Sequence, residues 1–571
     1  MTLMFGAAVI ASIVFYSSST PAQKFLRDGI QNSDPIVKTL SGKVKGHVVE
    51  TPASDKVQEY LGIPYAKPPV GELRFANPEP AEKWTGTLNA QKFGPSCYQP
   101  LDLTFGNFQG SSMWNAPGEL SEDCLSINVW TPHPRPQNAV VMVWIYGGGF
   151  YSGTTALWVY DGKTLAGRTG VVVVSMNYRV GSLGYLATGD GRIKGNFGMM
   201  DQVLALKWVQ KNIASFGGDP QKVTIFGESA GGASIGMHMM SPLSKDLFKR
   251  AIIQSASPDT HWSFMDHKAA RSRSEMLFSA LSCPDDENVL ECLRGIRPDD
   301  IVANEWVDGS FLVFPWAPTA DGVFLSSAPR QYIESNRLRP MELLIGANKD
   351  EGTFWILYGV PTYHWNTSSP QSRSDLIRAV NIVDFDLSPA GRQEVLDLYT
   401  EGIRPNDLYG NRDALDDIVG DRSFLCPSVE FAHDYVKLRQ SVYVYHLTHR
   451  ASNEVWPEWM GVIHGAEIQY VFGMPFNKSR GYSDDEVVLS DKIMTYWSNF
   501  AKSGHPNGNQ VSGLATWPKN NWGEYLEFVS GTTFNRKMGF RTRYCDFWKN
   551  IDRKQSHTEK LKRLFRFDAR W

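Results

Sequence analysis

The residues best suited to chemistry lie in Phe226-Gly227-Glu228-Ser229-Ala230-Gly231-Gly232, a G-x-S-x-G pattern centred on Ser229. Val223–Phe226 before it is β-branched and aromatic, as a strand is. Gly232–Met240 after it is rich in Ala, Ile and Met, as a packed helix is. A serine on a tight strand-to-helix turn presents its hydroxyl as a nucleophile, and flanking glycines keep bulky side chains off the turn. A serine hydroxyl is a poor nucleophile near neutral pH, so it needs a base held by a third group. Of the 12 histidines, His464 is the best candidate, because it follows an apolar stretch, precedes Gly465 and can sit on a loop. His446 and His449 lie in or beside a strand-like run and read as structural. The acid should follow a strand between Ser229 and His464, and Leu344-Ile345-Gly346-Ala347-Asn348-Lys349-Asp350-Glu351 supplies it. On these grounds Asp350 and Glu351 both qualify. The anion formed on an attacked carbonyl needs preorganised donors, worth about 3 kcal/mol each. The Gly147-Gly148-Gly149 run nominates the amides of Gly148 and Gly149, with that of Ala230 after the nucleophile. No G-K-[ST] follows the glycines, which argues against a phosphate loop.

The elements that must position these groups are legible as runs. Val140–Tyr146 and Val171–Met176 are continuous apolar segments, as in strands buried on both faces. Asp201–Phe216 has helical spacing, and Ala251–Gln254, Leu343–Gly346 and Val442–Leu447 continue the alternation of strand and helix. That alternation predicts a doubly wound, mostly parallel sheet, with ligands beyond the carboxyl ends of its strands. Serine, acid and histidine in that chain order specify the α/β-hydrolase arrangement. No Pro/Gly/Ser tract, charge block or repeat divides the 571 residues, so one α/β domain with long insertions is expected over residues 23–548.

Residues 1–22 read as a cleaved signal peptide: the apolar run from Leu3 to Tyr16 is too short to span a bilayer, and small residues follow it. The sequons at Asn366 and Asn477 suit a secreted, extracellular chain. The six cysteines, Cys97, Cys124, Cys283, Cys292, Cys426 and Cys545, allow three disulfides, with sequential pairing the simplest arrangement. No cysteine–histidine cluster suggests a metal site, and no cofactor is implied. A net charge of −3 offers no basic face for nucleic acid. No later segment is long and apolar enough to span a membrane. The tail from residue 549 to 571 is basic and lacks cysteine, with Leu561, Leu564 and Phe565 on one possible helical face. It predicts a soluble monomer.

Longer motifs carry a family resemblance. Tyr146–Gly153 (YGGGFYSG), Thr224–His238 (TIFGESAGGASIGMH), Asn348–Phe354 (NKDEGTF), Asn411–Asp421 (NRDALDDIVGD) and Ala451–Ile468 (ASNEVWPEWMGVIHGAEI) resemble the cholinesterases from about Val37 to Trp548. The resemblance selects Glu351 over Asp350, and the spacings among Ser229, Glu351 and His464 agree with the family's. It implies Cys97–Cys124, Cys283–Cys292 and Cys426–Cys545 pairing. It implies hydrolysis of a small choline ester, whose quaternary ammonium cannot donate a hydrogen bond and is best held over aromatic faces. Trp114 matches the family's choline-site tryptophan and Phe354 its aromatic partner, while Glu228 adds negative potential. Asp102, Tyr151, Trp306 and Tyr358 match a peripheral rim site, from which Pro100 departs, standing where vertebrate members have tyrosine. Leu312 and Phe314 fall at the two acyl-pocket positions, with Trp262 and Trp355 nearby. An aliphatic residue for one aromatic predicts a roomier pocket that takes butyryl as well as acetyl esters. The tail lacks the Trp-rich tetramerisation tail of related enzymes, and with Trp355 it looks more like an invertebrate secreted form than a vertebrate synaptic one. A general carboxylesterase would share the triad without needing Trp114, Asp102 and Phe354. A non-catalytic adhesion relative of the neuroligin type is disfavoured by the intact triad.

Overall fold

The computed structural model describes residues 34–551, apart from 384, 509–512 and 522. The expected signal segment and the tail beyond 551 lie outside the described residues. Among the described residues fourteen strands can be numbered in chain order. The first six are β1 (Ile36–Lys38), β2 (Lys43–Lys45), β3 (His47–Glu50), β4 (Lys56–Pro64), β5 (Thr87–Asn89) and β6 (Ser126–Pro132). There follow β7 (Ala139–Ile145), β8 (Val172–Met176), β9 (Gly218–Glu228) and β10 (Arg250–Gln254). The last four are β11 (Leu343–Asn348), β12 (Val442–Leu447), β13 (Glu524–Phe528) and β14 (Phe534–Met538).

Strands β1, β2 and β5 make a small sheet, and the other eleven form one sheet in the order β14-β13-β12-β11-β10-β9-β7-β8-β6-β4-β3. Its centre, from β13 to β8, is parallel throughout, while β14 and the β6-β4-β3 side pair antiparallel. This is the expected α/β-hydrolase sheet. The apolar runs account for its centre: Val141 to Ile145 in β7 and Val172 to Val174 in β8 are fully buried, and helices cover both faces of such strands. The helix Phe197–Asn212 starts four residues before the expected Asp201, and β9 starts five before Val223. Near the chain end a helix runs over 542–551, three residues past the expected domain limit at 548. The three disulfides pair sequentially, as expected. Among the described residues no helix is long and apolar enough to cross a membrane.

The carboxyl ends of β7, β9, β10 and β11 lie side by side and carry in turn the glycine run, Ser229, Ser255 and Glu351. Ser229 joins β9 to the helix Ala230–Met240 with φ 55° and ψ −127°, backbone angles that L-residues rarely adopt. Such strain costs about 1–3 kcal/mol and persists only when surrounding structure enforces it. Here Ser229 N donates to Gln254 O at 2.9 Å and Ser229 O accepts from Ala233 N at 2.9 Å. The helix also packs unusually close to β7. A Cβ on Gly231 would sit 2.0 Å from Ile145 O and 2.7 Å from Tyr146 O, both backbone atoms that cannot swing aside. Gly231→Ala is therefore expected to destabilise by about 1–3 kcal/mol or more, read as a lowered Tm. Gly295→Ala, at a helix end with open space around it, should leave Tm within error; equal shifts for the two would contradict the close approach.

Candidate active site

Glu351 is fully buried at the end of β11. Its Oε1 accepts from Ser255 Oγ at 2.6 Å and from Asn348 N at 2.7 Å. Its Oε2 lies 2.6 Å from His464 Nδ1. That bond places the Nδ1 proton toward the carboxylate and leaves Nε2 facing the cavity shared with Ser229. In this conformation Nε2 makes no hydrogen bond to Ser229. It approaches Glu228 Oε1 at 3.0 Å, with angles too poor for a hydrogen bond, so both buried atoms remain unpaired. Burial pushes the Glu228 carboxyl up to about 8. Burial pulls the His464 imidazole down, but the Glu228 and Glu351 carboxylates outweigh it and raise its pKa above the ordinary histidine value. The two groups are thus electrostatically coupled across the floor of the site.

Asp350, the other acid open on sequence grounds, points elsewhere. Its Oδ2 accepts from Val462 N at 2.7 Å, and its own N donates to Val462 O at 3.0 Å. It fastens the His464 loop to β11 rather than meeting the imidazole. A second carboxylate was not singled out in the sequence. Glu467, three residues after His464, accepts from Gln254 Nε2 at 2.9 Å and from Asn348 Nδ2 at 2.6 Å. Asn348 Nδ2 also reaches Ile463 O at 3.0 Å. These bonds tie β10, β11 and the histidine loop into one buried unit. Nothing in Glu467's local pattern distinguishes it from a surface acid.

Ser229, Glu228 and His464 lie in a cavity of about 580 Å³. Gly148 and Gly149 line it with φ 107° and 58°. A Cβ on Gly147 would lie 2.9 Å from Ser229 Cβ, so the glycine run packs directly on the turn. Ala230 is fully buried behind Ser229. Trp114 and Glu228 both border Gly465, where an added Cβ would be 3.6 Å from Trp114 Cη2 and 3.7 Å from Glu228 Oε1. Phe354 lies in the same cavity, with its ring 4.9 Å from Tyr358. Tyr358 OH donates to Asp102 Oδ2 at 2.5 Å, and Tyr151 meets Trp306 edge-on at 4.9 Å. All four rim residues, with Pro100, line the cavity.

The acyl-side expectations divide. Leu312, Phe314 and Trp355 line the cavity. Trp262 does not. It stands behind Phe314, with ring centroids 5.8 Å apart, and its indole N–H donates to Ser423 O at 3.0 Å. Its place is corrected from pocket lining to backing. Beside it is a residue that the sequence did not reveal, Phe424. Its ring lies 4.5 Å from the His464 imidazole and stacks on Trp355 at 5.8 Å and 14°. The cause is a π-helical turn, Asp421–Leu425, between the helices Leu408–Gly420 and Cys426–Lys437. Such turns are rare, and helical periodicity does not announce them. Tyr399 OH and Arg541 Nε hold its first residue, Asp421, at 2.7 and 2.8 Å.

Residues 33–548 match the model of the carboxylesterase family. The chain belongs to that family. Among its curated relatives, a zebrafish (Danio rerio) acetylcholinesterase is 42% identical over 557 residues, covering 90% of this chain and 88% of the relative. A mouse (Mus musculus) cholinesterase is 43% identical, covering 90% and 86%. A Bungarus fasciatus acetylcholinesterase is 41% identical, also over 90% and 86%. As a carboxylesterase-family hydrolase the chain acts on a small-molecule ester.

Two outcomes follow for this carboxylesterase. A general base must be deprotonated to act, and the Glu228 carboxylate holds a proton on His464 to higher pH. Glu228→Gln should therefore shift the acid limb of kcat/KM to lower pH, measured with an uncharged ester such as phenyl acetate. An unmoved or rising limb would contradict the Glu228–His464 coupling. Phe424→Val removes the ring behind Trp355 and His464 and should raise the butyryl-to-acetyl ratio of kcat/KM by about tenfold, the scale of one to two methylenes in a pocket.

Proposed function

We propose that the chain is a cholinesterase that cleaves acetylcholine to choline and acetate through an acyl-enzyme. The observation that carries this reading is that Trp114 and Glu228 both border Gly465 in the cavity that holds Ser229. An indole face and a buried carboxylate together suit a cation that offers no hydrogen-bond donor, at about 0.5–2 kcal/mol for the aromatic contact. Phe354 closes the same region. In the proposed reaction Ser229 Oγ attacks the ester carbonyl while His464 Nε2 takes its proton. The amides of Gly148, Gly149 and Ala230 hold the resulting oxyanion. His464 then returns the proton to the choline oxygen, and water repeats the sequence on the acyl-serine. Glu351 orients the imidazole and stabilises its charged form. No metal or cofactor enters this scheme. Asp102, Tyr151, Trp306 and Tyr358 form the entry rim.

Leu312 favours a second, broader reading, in which butyrylcholine is also turned over appreciably. Phe314 and Trp355 complete the acyl wall in this reading. Three disulfides fit folding in an oxidising compartment, and Asn366 is exposed where a glycan would need it. Both support a secreted, glycosylated chain, with Asn477 as the second acceptor, and we take it to act as a monomer.

A panel of acetyl-, propionyl- and butyrylthiocholine with Ser229→Ala tests the activity, with a loss of about 10⁴-fold or more in kcat expected for the variant. Trp114→Ala should raise KM for acetylthiocholine well beyond its effect on the uncharged 3,3-dimethylbutyl thioacetate. Equal effects on both esters would return the chain to a general carboxylesterase. Leu312→Phe should lower butyryl turnover selectively, and an equal fall for both acyl groups would refute the pocket assignment.

A further inference from the structure

The loop closed by Cys97–Cys124 carries Trp114 into the cavity, yet none of residues 101–109 is buried. Backbone bonds there are local: Gly106 N donates to Leu103 O at 3.0 Å, and Phe108 N to Phe105 O at 3.3 Å. What holds the loop to other segments is chiefly aromatic. Phe105 meets Tyr358 edge-on at 4.9 Å and Trp456 at 5.7 Å, and Phe108 meets Trp456 edge-on at 4.6 Å. A fourth contact comes from Trp365, which does not line the cavity. Its ring stacks on Phe108, with centroids 4.5 Å apart and planes at 27°. Trp365 itself sits on a well-fastened turn. Tyr363 is buried, and its hydroxyl donates to Arg412 O at 3.1 Å. His364 N donates to the buried Ser369 Oγ at 2.8 Å, and that hydroxyl donates back to His364 O at 3.0 Å. Arg412 Nη1 donates to Ser368 O at 2.9 Å.

We propose that Trp365 is a positioning residue, which clamps Phe108 from outside and thereby fixes Trp114 at the cation end of the cavity. This rests on the cation site proposed above. The linkage is short. Phe108 O accepts from Ser111 N at 3.2 Å and from Ser112 N at 2.9 Å, and Ser111 O accepts from Trp114 N at 3.1 Å. A displacement of Phe108 is therefore passed to Trp114 through the single turn Gln109–Ser112. That turn cannot slide on its own, because Gly110 is wedged between two rings: a Cβ there would lie 2.5 Å from both Phe108 Cε1 and Trp456 Cε2. Trp365 adds no charge, so the clamp acts on position alone. One stacked pair is worth about two- to tenfold in the equilibrium between a held and a released loop. A cation must lie within about 6 Å of the ring centroid to be attracted. Loss of the clamp therefore weakens a charged head group more than an uncharged isostere of the same shape.

The test uses Trp365→Ala and Trp365→Phe in the full chain, each in an Asn366→Gln background so that a glycan on the adjoining sequon does not enter the comparison. Hydrogen exchange reads the clamp directly. A peptide over residues 108–116 should exchange about two- to tenfold faster in Trp365→Ala and near the parent rate in Trp365→Phe. A peptide over β12 should not change in either. KM for acetylthiocholine should rise about threefold in Trp365→Ala. The kcat and the KM for the uncharged 3,3-dimethylbutyl thioacetate should hold, and Trp365→Phe should restore the parent KM. Unchanged exchange over 108–116, or an equal rise over β12, would overturn the clamp. Faster exchange with an unchanged ratio of the two KM values, or a fall in kcat for both esters, would overturn the positioning role. The exchange readout does not depend on what Trp114 binds. If Trp114→Ala raises KM equally for both esters, the cation site fails while exchange still decides the clamp, so the two ideas fail separately.

Discussion

The hydrogen bond between fully buried Glu351 and His464, 2.6 Å long, is the interaction around which this molecule is arranged. A carboxylate is costly to bury unless each oxygen is satisfied. The fold meets that cost from three sides. Ser255 at the end of β10 and Asn348 at the end of β11 occupy Oε1, and the histidine loop occupies Oε2. The neighbouring Glu467 is satisfied by the same asparagine and by Gln254 of β10. The parallel pairing of β9, β10 and β11 is thus a condition for the chemistry, because it brings three strand ends to one level. Ser229, at the end of β9, is held at strained backbone angles by Gln254 of β10.

Around this rigid floor the long insertions make a cavity wall. The loop closed by Cys97–Cys124 brings Asp102 and Trp114, the segment after Pro298–Ala303 brings Trp306, Leu312 and Phe314, and the short helix Thr353–Gly359 brings Phe354, Trp355 and Tyr358. Aromatic rings dominate because they give large rigid surfaces that meet edge to face at little entropic cost. Many of the 18 tryptophans serve the core instead: Trp130, Trp144, Trp316, Trp497, Trp517 and Trp548 are almost fully buried. The division of labour is visible at Glu228. On the strand side it completes β9; on the cavity side its carboxyl, its pKa raised by burial, lies 3.0 Å from His464 Nε2 and borders Gly465, as Trp114 does.

Much was legible before any coordinates. G-x-S-x-G around Ser229, the glycine run and the apolar strands are local signals, since each encodes a backbone shape or a buried period within a few residues. The sheet's parallel centre followed from the same runs, while sequential disulfide pairing was the simplest arrangement of six cysteines and the one the resemblance to the cholinesterases implied. The choice between Asp350 and Glu351 was not local. The resemblance to the cholinesterases selected Glu351, and the packed structure gives the reason, sending Glu351 to His464 and Asp350 to Val462.

By itself, then, the sequence determined the strand–turn–helix at Ser229, the chain order of nucleophile, acid and histidine, and the residue types available for a cation site. The tertiary structure alone decided the contacts made across long separations. It moved Trp262 behind Phe314 and delivered Phe424 to His464 through a π-helical turn that no periodicity predicts. It turned Nε2 of His464 toward Glu228 and gathered Leu101, Leu103, Trp306 and Ile382 at one opening. The physical reason is common to all four. Spacing along the chain fixes local backbone geometry, whereas the neighbours of a side chain depend on how distant segments pack, and that packing exists only in the folded molecule.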